Sequence, residues 1–388
     1  MGRRAESGVA VFAVLGLRDA GRRRAGAGGG LPGLRHVIER VTEMATKMIL
    51  TGDVNLMNVT DPAMPFVFVG DEFRAADIVF SNLECCLYRP PGGHAVEREG
   101  FFADPGVAGE ALQSAGVHAV GVANNVNYGE AAIMASVARL DELGIAHTGA
   151  GANQALARAP VILSRDGARF GFIQRSSVYW PTNHEAGEDT PGIAVIRGHT
   201  AYHAPMHGSR PPANRPGIPP EIVTWADPAY LKRLDDDIAA LRGRTEVVVA
   251  SFHWGLHKEV LQYMTEIAHR AIDAGADLVV GHGPHYSLPI ELYKGVPIFY
   301  GLGSFSFHTG HGGIQHGDWL GMMVRVSWDR ERIAGAACQF VRHDRLNRTV
   351  LCKLADEGGA FDEIAQRSAR LSAKLTPRGD QGEIDLRA

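Results

Sequence analysis

The sequence predicts an α/β fold in which helices cover both faces of a sheet. Short apolar runs of strand length occur at residues 47–53, 76–84, 117–125, 168–174, 245–255 and 276–285. The segments 106–115, 130–143 and 261–274 instead space their apolar residues as amphipathic helices do. Gly144 is suited to end the second of these helices. Strands that alternate with helices of this length indicate βαβ units.

The last apolar runs follow a different pattern. The runs at 297–305, 320–328 and 334–343 succeed one another without a helical pattern between them, which suggests a second, more antiparallel sheet. Together with the earlier runs they predict one domain over 48–345. We expect residues 346–388 to form a C-terminal tail.

Two segments have the composition of irregular chain. Residues 181–227 are rich in proline and glycine, so we expect a long excursion that covers a binding site. Residues 1–47 are rich in arginine and glycine, which predicts a disordered leader or an over-extended start. Basic residues precede a short apolar core there, but charged residues follow where a signal-cleavage site would lie. We therefore expect a cytoplasmic protein.

Composition excludes several classes of protein. The 388 residues are 45% hydrophobic and 21% charged with a net charge of −4, which is typical of a globular protein and argues against a nucleic-acid partner. No run approaches the ~20 apolar residues of a membrane-spanning helix, so we expect no integral membrane segment. The four cysteines lack zinc-finger spacing and give no reason to expect an oxidising compartment.

Polar residues with metal-ligand chemistry follow the predicted strands. They are Asp53, Glu84, Asn125, His253, His282 and His285. Ligands of open α/β sheets bind beyond the carboxyl ends of the strands, so we expect these side chains to converge. Mixed oxygen and nitrogen donors favour one or two ions of Mn, Fe, Zn or Co. Taken singly, Asp53 could be a turn or capping residue and His253 a core histidine.

The motifs TGDVNLMN, SNLE, GVANNVNYG, VVASFHWG and GADLVVGHGPHYSLPIELYKGVPIFYGLGSF resemble the CapA-like proteins of bacterial capsule and poly-γ-glutamate synthesis. That family is related to the calcineurin-like metallophosphoesterases. The resemblance implies a metallophosphoesterase-like β-sandwich flanked by helices, in α-β-β-α layers, with a two-metal centre. It also implies that Asp53 is the first metal carboxylate, Glu84 the bridging acid and Asn125 the metal-bound asparagine. The three histidines of the strand ends would be imidazole ligands.

The sequence departs from the family pattern at three positions. Val126 occupies the place of a histidine that assists the leaving group in the phosphoesterases. Asn55 stands where the phosphoesterases have histidine, and Ser304 where the family usually has asparagine. The metal ligands are therefore better preserved than the acid catalyst. His257, His184 or a metal-bound water would have to supply the proton.

Three functional hypotheses follow from the residues and the resemblance. The first is a metal-dependent hydrolase of a small anionic ester or amide, either a phosphoester or a glutamyl compound, that uses a metal-activated water. Its catalytic residues would be His253, His285 and Asn125, and its substrate-binding residues Asn55, Asn124, Arg175, His257 and Ser304. The second is an accessory protein of poly-γ-glutamate or capsule synthesis with a glutamyl-polymer substrate. The third, motivated by Val126, is a non-catalytic binding module.

Arg175 follows an apolar strand and has two interpretations. Its guanidinium could pair with a phosphate or carboxylate of the substrate. It could equally make a structural hydrogen bond to loop carbonyls. The sequence leaves both open.

Overall fold

The computed structural model describes residues 45–91, 100–203, 217, 219–307, 319–329, 332–346 and 348–387. Nearly all of the expected leader, residues 1–44, lies outside this part of the chain, as does the middle of the expected excursion, residues 204–216 and 218. Within the described residues, no helix is long and apolar enough to cross a membrane.

The strands account for most of the regular structure. In chain order they are β1 Thr46–Asn55, β2 Ile78–Leu83, β3 Cys86–Leu87, β4 Phe102–Ala103, β5 Ala119–Gly121, β6 Ala146–Thr148, β7 Ala150–Gly151, β8 Val161–Arg165, β9 Ala168–Ser176, β10 Gly192–Ile193, β11 Gly198–His203, β12 Glu221–Ala226, β13 Val247–His253, β14 Leu278–His282, β15 Ile290–Tyr293, β16 Val296–Phe299, β17 Ser304–Phe307, β18 Gly321–Trp328, β19 Ile333–His343, β20 Thr349–Leu351, β21 Leu375–Arg378 and β22 Gln381–Ile384.

Several of the helices begin or end at residues with capping chemistry. The helices are α1 Gly70–Arg74, α2 Pro105–Ala115, α3 Glu130–Leu143, α4 Gln154–Arg158, α5 Pro228–Arg242, α6 Gln262–Asp273 and α7 Gly358–Ala369, with a 3₁₀ turn at Leu354–Glu357. Asp104 and Asp227 accept hydrogen bonds from the first backbone N–H groups of α2 and α5, each of which has proline at its start. Gly116 and Gly144 end α2 and α3 in the left-handed conformation.

Two large sheets organise the domain. The first has the order β21-β22-β19-β18-β1-β2-β5-β6, with β17 paired to β1 and β20 to β19. The second has the order β15-β16-β14-β13-β9-β8. The neighbours β1, β2, β5 and β6 are parallel, as are β9, β13, β14 and β16. The carboxyl ends of these parallel strands therefore lie together at one edge of each sheet.

Three apolar clusters show how the layers pack. The middle cluster joins the two sheets, with Leu50 and Phe80 of the first sheet and Phe172 and Val249 of the second fully or almost fully buried in it. The rings of Phe80 and Phe172 stack at 5.0 Å across this interface. A second cluster lies between the first sheet and helices α2 and α3, and a third between the second sheet and helices α5 and α6. The predicted α/β fold with a β-sandwich between helical layers is confirmed.

The late strands are distributed differently from the expectation. The run 297–305 is not one strand: it breaks after Phe299, so that β16 joins the second sheet and β17 the first. The runs 320–328 and 334–343 become β18 and β19, which extend the first sheet beside β1 rather than forming a separate one. Pairing is set by contacts distant in sequence, which a local pattern does not encode.

Two segments expected to be irregular contain strands. In place of a C-terminal tail, residues 349–384 form β20, α7, β21 and β22, and β22 pairs with β19. Part of the expected excursion folds as the antiparallel ribbon of β11 and β12. Its inner residues Thr224 and Ala226 are buried, and the backbone N–H of Tyr263 in α6 donates to the Thr224 hydroxyl.

Candidate metal centre

The carboxyl ends of four parallel strands bring the predicted ligands to one place. Asp53 lies within β1, two residues before its end, and Glu84 directly follows β2. His253 and His282 are the last residues of β13 and β14 and are paired in register. Their imidazoles point inward from the second sheet toward the carboxylates of the first. The sandwich therefore places acids from one sheet opposite histidines from the other.

The distances show that the six predicted ligands form one cluster. His285 contacts both acids: its Nδ1 is 3.1 Å from Asp53 Oδ2 and its Nε2 is 3.6 Å from Glu84 Oε1. His282 Nδ1 lies 3.8 Å from Asp53 Oδ1. Asn125, in the loop after β5, has its Oδ1 2.9 Å from His253 Nε2. Asp53, Glu84 and His285 each offer a ligand atom within 4.8 Å of the others.

Burial sets the protonation states in the absence of a cation. Burial raises the pKa of Glu84 well above its usual value, and the charge of Asp53 raises it further. Burial would raise the pKa of Asp53 too, but the hydrogen bond to His285 and the nearby imidazoles hold it below its usual value. Burial lowers the pKa of His253 to about 3 and that of His282 to about 4. Both imidazoles are therefore neutral at pH 7, the form that binds metals.

Several buried polar atoms in this cluster lack hydrogen-bond partners among the described residues. They are both ring nitrogens of His282 and Oε2 of Glu84. Leaving such atoms unsatisfied costs about 1–3 kcal/mol each. A cation in the cluster would bind one ring nitrogen of His282 and the free oxygen of Glu84, and it would also let the two neighbouring carboxylates ionise together. The residues present therefore fit one or more divalent ions.

The GHGPH turn has a geometry that glycine makes possible. Gly283 has φ of +104°, and a Cβ there would lie 3.0 Å from the His253 imidazole and 2.9 Å from the carbonyl of Trp254. His285 also has positive φ, at +63°. Both residues turn the chain sharply after β14, and this turn brings His285 back over the carboxylates of Asp53 and Glu84.

A chain of buried amides supports the cluster, and the sequence analysis did not identify it. Asn82 donates from Nδ2 to Asp53 Oδ1 at 2.8 Å, which leaves its Oδ1 to accept from Gln174 Nε2 at 2.9 Å. Gln174 Oε1 in turn accepts the N–H of Ala123 at 2.6 Å. A Cβ at Gly121 would collide with Gln174, so glycine there makes room for the amide. The sequence signal that could have identified Asn82 was an amide side chain within the mainly apolar run 76–84.

Comparison with known proteins identifies the family. The model described as "Bacterial capsule synthesis protein PGA_cap" matches residues 35–309. The chain belongs to this family. The resemblance to CapA-like proteins is thereby confirmed.

Relatives of this PGA_cap chain carry names from polymer synthesis. A "Probable polyglutamine synthesis accessory protein" of Mycobacterium tuberculosis is 30% identical over 204 residues, which cover 50% of this chain and 46% of the relative. "PGA biosynthesis protein CapA" of Bacillus subtilis is 37% identical over 99 residues, 25% of this chain and 24% of that protein. The chain thus spans about half or less of the length of these relatives.

A solved structure was also matched. The crystal structure of a novel phosphatase from Mycoplasma pneumoniae aligns with 77% of this chain and 94% of that chain, at a TM-score of 0.45 and 11% sequence identity.

Three of the predicted substrate-binding residues of this PGA_cap chain lie beside the cluster or support its loops. Ser304 Oγ is 3.4 Å from His285 Nδ1, so it borders the centre. Asn55 Oδ1 accepts a backbone N–H two residues on, and Asn124 Nδ2 donates to the last carbonyl of β2. Both asparagines are fully buried. The Asn55 contact holds the loop that follows β1, and the Asn124 contact holds the loop that carries Asn125.

The other two predicted substrate-binding residues are His257 and Arg175. Their environments differ from that of the candidate metal centre. His257 is exposed and has φ of +53°. Arg175 is only 3% exposed, and its guanidinium is bound by Asp237 Oδ2 at 2.6 Å and by the backbone carbonyl of Gln174 at 2.7 Å. This arrangement matches the structural interpretation of Arg175 rather than a contact with substrate.

Val126, which occupies the position of the phosphoesterase histidine, lies in an apolar environment. Val126 is fully buried in the cluster beneath α2 and α3. Among the alternatives for a proton donor, His184 has Nδ1 accepting from the N–H of Trp180 at 3.0 Å and Nε2 donating to the carbonyl of Asn127 at 2.9 Å. Burial lowers the pKa of His184 to about 4. It is therefore neutral, and backbone groups engage both of its nitrogens.

Trp319 supports His285 from one side. The two rings stack at 4.6 Å with an angle of 6°, and Phe307 packs against the same imidazole at 4.8 Å. We expect Trp319→Ala to weaken metal binding about tenfold, because ligands that lose their support typically lose 10–100-fold in affinity. Competition with a chromophoric chelator for Co²⁺ would measure it. Trp225→Ala, in the ribbon, is the control, and equal affinities in both variants would contradict this role.

Proposed function

We propose that this PGA_cap chain is a metal-dependent hydrolase of a small anionic ester or amide. The observation that supports the proposal best is the buried pair of carboxylates facing neutral histidines, with the nitrogens of His282 left without partners. Such a set of atoms is costly to bury unless a cation binds it. Asp53, Glu84, Asn125, His253, His282 and His285 would hold the ion or ions.

The chain's own residues define how a substrate could be positioned. A bound divalent ion supplies a nucleophilic water at neutral pH and offsets negative charge on the substrate. Asn125 and His285 are the half-buried members of the set, so their side chains are the ones that an incoming substrate reaches. The rings of Tyr128 and Trp180 lie at 5.7 Å from each other, and Trp180 Nε1 donates to the carbonyl of Asn125. This aromatic pair orients the loop that carries Asn125.

The anionic character of the substrate follows from the cation and from the names of the relatives. An ester or amide with a phosphoryl or glutamyl group would bring negative charge to the ion that these residues would hold. Val126 offers no proton to a leaving group, so substrates whose leaving group needs no protonation should react fastest. We therefore expect activated aryl esters, whose phenolate leaves as an anion, to react faster than alkyl esters and than anilides, whose leaving nitrogen must be protonated.

A second candidate is an accessory role in the synthesis of a glutamyl polymer or capsule. The names of the mycobacterial and Bacillus relatives favour it. In that role the same centre would bind the polymer or a precursor. The third hypothesis, a non-catalytic binding module with the same fold, is motivated by Val126.

An assay with defined substrates tests the proposal. The metal-reconstituted chain would be given p-nitrophenyl phosphate, bis-p-nitrophenyl phosphate and γ-glutamyl-p-nitroanilide, each with Mn²⁺, Fe²⁺, Co²⁺ and Zn²⁺. We expect release of nitrophenol or nitroaniline that falls at least about 100-fold in Asp53→Asn, a loss of a direct ligand being larger than that of a supporting residue. Lys232→Gln, at an exposed residue of α5, should retain the rate. Metal binding without turnover of any of these substrates would favour the accessory role.

A further inference from the structure

A buried polar link joins the two sheets beside the candidate metal centre. Gln174 lies in β9 of the second sheet, and its side chain reaches across to Asn82 in β2 of the first sheet and to Ala123, just after β5. Its amide nitrogen also donates to Ser251 Oγ at 3.3 Å. The side chains of Gln174, Asn82 and Ser251 are fully buried, so they have to find their hydrogen-bond partners within the protein. These partners therefore decide how each amide is oriented.

The orientation of the Gln174 amide is fixed by the backbone. The N–H of Ala123 lies 2.6 Å from Oε1 of Gln174, and a backbone N–H can only donate, so the atom that it meets must be the oxygen. The nitrogen Nε2 therefore points the other way, where it donates to Asn82 Oδ1 at 2.9 Å. A flipped amide would set one N–H group against another at Ala123.

Asn124 fixes the same acceptor independently. Its Oδ1 accepts the N–H of Asn127 at 3.0 Å, and its Nδ2 donates to the carbonyl of Leu83 at 2.8 Å. The same Nδ2 also faces Asn82 Oδ1 at 3.5 Å. Two amides whose orientations are set by the backbone thus present their nitrogens to one oxygen of Asn82. The Asn82 amide has to place its own nitrogen on the opposite side, toward the metal centre.

Asn82 carries this fixed direction to a metal ligand. Its Nδ2 donates to Asp53 Oδ1 at 2.8 Å and lies 3.4 Å from Nδ1 of His253. The other carboxylate oxygen of Asp53, Oδ2, faces His285 Nδ1 at 3.1 Å. Groups on both sides therefore set the plane of this carboxylate. Gln174 determines one of the two sides without touching Asp53.

We propose that Gln174 is a positioning residue of the metal centre, which orients Asp53 through Asn82 and so sets the affinity for the divalent ion. Without Gln174 the Asn82 amide could rotate and turn its oxygen toward Asp53 Oδ1, where two acceptors repel each other. Partners of this kind orient metal ligands in many proteins. The inference rests on the proposed metal centre, but it needs metal binding only and not turnover.

The affinity of the full chain for Co²⁺, measured by competition with a chromophoric chelator, tests the proposal without any substrate. Gln174→Met keeps the length of the side chain but has no N–H group to donate to Asn82. We expect about a tenfold loss of affinity and a changed visible spectrum of the bound Co²⁺. Ser251→Ala is the matched control, because it removes another buried partner of the same amide and leaves the path to Asp53 intact. It should bind Co²⁺ as the wild type does.

A double-mutant cycle shows whether Gln174 acts through Asn82. Gln174→Met should lower the affinity for Co²⁺ about tenfold in the wild-type background, but less than about twofold when Asn82→Ala is already present. An equal loss in both backgrounds, or an unchanged affinity and spectrum in Gln174→Met, would overturn this proposal alone. A wild-type chain that bound no Co²⁺ would overturn the metal centre as well, so the two failures are distinguishable.

A crystal structure of the wild-type chain with Co²⁺ gives a test that needs no variant to fold. The expected result is an anomalous peak beside Asp53, with Asn82 Nδ2 still within hydrogen-bond distance of Oδ1 and Gln174 still bonded to Asn82. A metal-bound Asp53 whose carboxylate had turned away from Asn82 would overturn the proposal.

Discussion

His282→Leu should abolish metal binding and, in EDTA, make the chain more stable than wild type. The imidazole is fully buried and neither nitrogen has a partner among the described residues, so the metal-free protein bears the cost of both. Each unsatisfied atom costs about 1–3 kcal/mol, and a leucine of similar size removes that cost. We expect a gain of about 1–3 kcal/mol in the free energy of unfolding, measured by urea denaturation.

When metal is supplied, the wild type should become more stable than His282→Leu. A ligand that binds only the folded state stabilises the wild type in proportion to the logarithm of its concentration, and the variant would not share this gain. Elemental mass spectrometry of both proteins, expressed without a histidine tag, would measure Mn, Fe, Co, Ni and Zn per chain. The control is His257→Leu, which changes an exposed histidine. If His282→Leu were less stable than wild type in EDTA, the imidazole would have a structural role instead.

The convergence of the candidate ligands could be predicted from sequence because of a simple geometric rule. Parallel strands end at one edge, and an acid, amide or imidazole after a buried apolar run marks that edge. Asp53, Glu84 and His282 were found in this way, and the structure brings them together. The position of His285 depended on the sharp turn that the glycines of GHGPH permit.

The orientation of Arg175 could not be predicted in the same way. Both faces of β9 are buried, one between the sheets and one beneath α5, so the run 168–174 shows no polar alternation to distinguish them. Strand periodicity predicts that Gln174 and Arg175 point to opposite faces of the sheet. It does not predict which of the two residues faces the other sheet. The structure directs Gln174 inward to Asn82 and Arg175 outward to Asp237.

The break in the run 297–305 was hidden for a related reason. The residues between β16 and β17 are Tyr300, Gly301, Leu302 and Gly303, and the tyrosine and leucine suit a buried strand by composition. Gly303 has φ of +65°, a conformation that ends the strand and lets β17 cross to the other sheet. A Cβ there would also lie 3.0 Å from the carbonyl of Leu320. Only the packing of distant strands makes this turn necessary.

Asp237→Ala should be among the most destabilising substitutions away from the metal centre. The carboxylate is the ion-pair partner of both Arg158 and Arg175. Without it the almost fully buried Arg175 keeps only backbone carbonyls as partners. Removing one partner of a buried ion pair typically costs about 3–5 kcal/mol, since it leaves a desolvated charge uncompensated. Chemical denaturation would measure the loss.

A second substitution shows whether the uncompensated charge is the cause. In Asp237→Ala/Arg175→Met the buried charge is gone, and an apolar chain of similar length replaces the stem of the arginine. Replacing a whole buried ion pair with apolar residues is often neutral or stabilising, so most of the loss should be recovered. Asp236→Ala, at the exposed neighbour, should change stability by less than about 1 kcal/mol. If the double variant were as unstable as the single one, Asp237 would act through the packing of α5 rather than through the charge of Arg175.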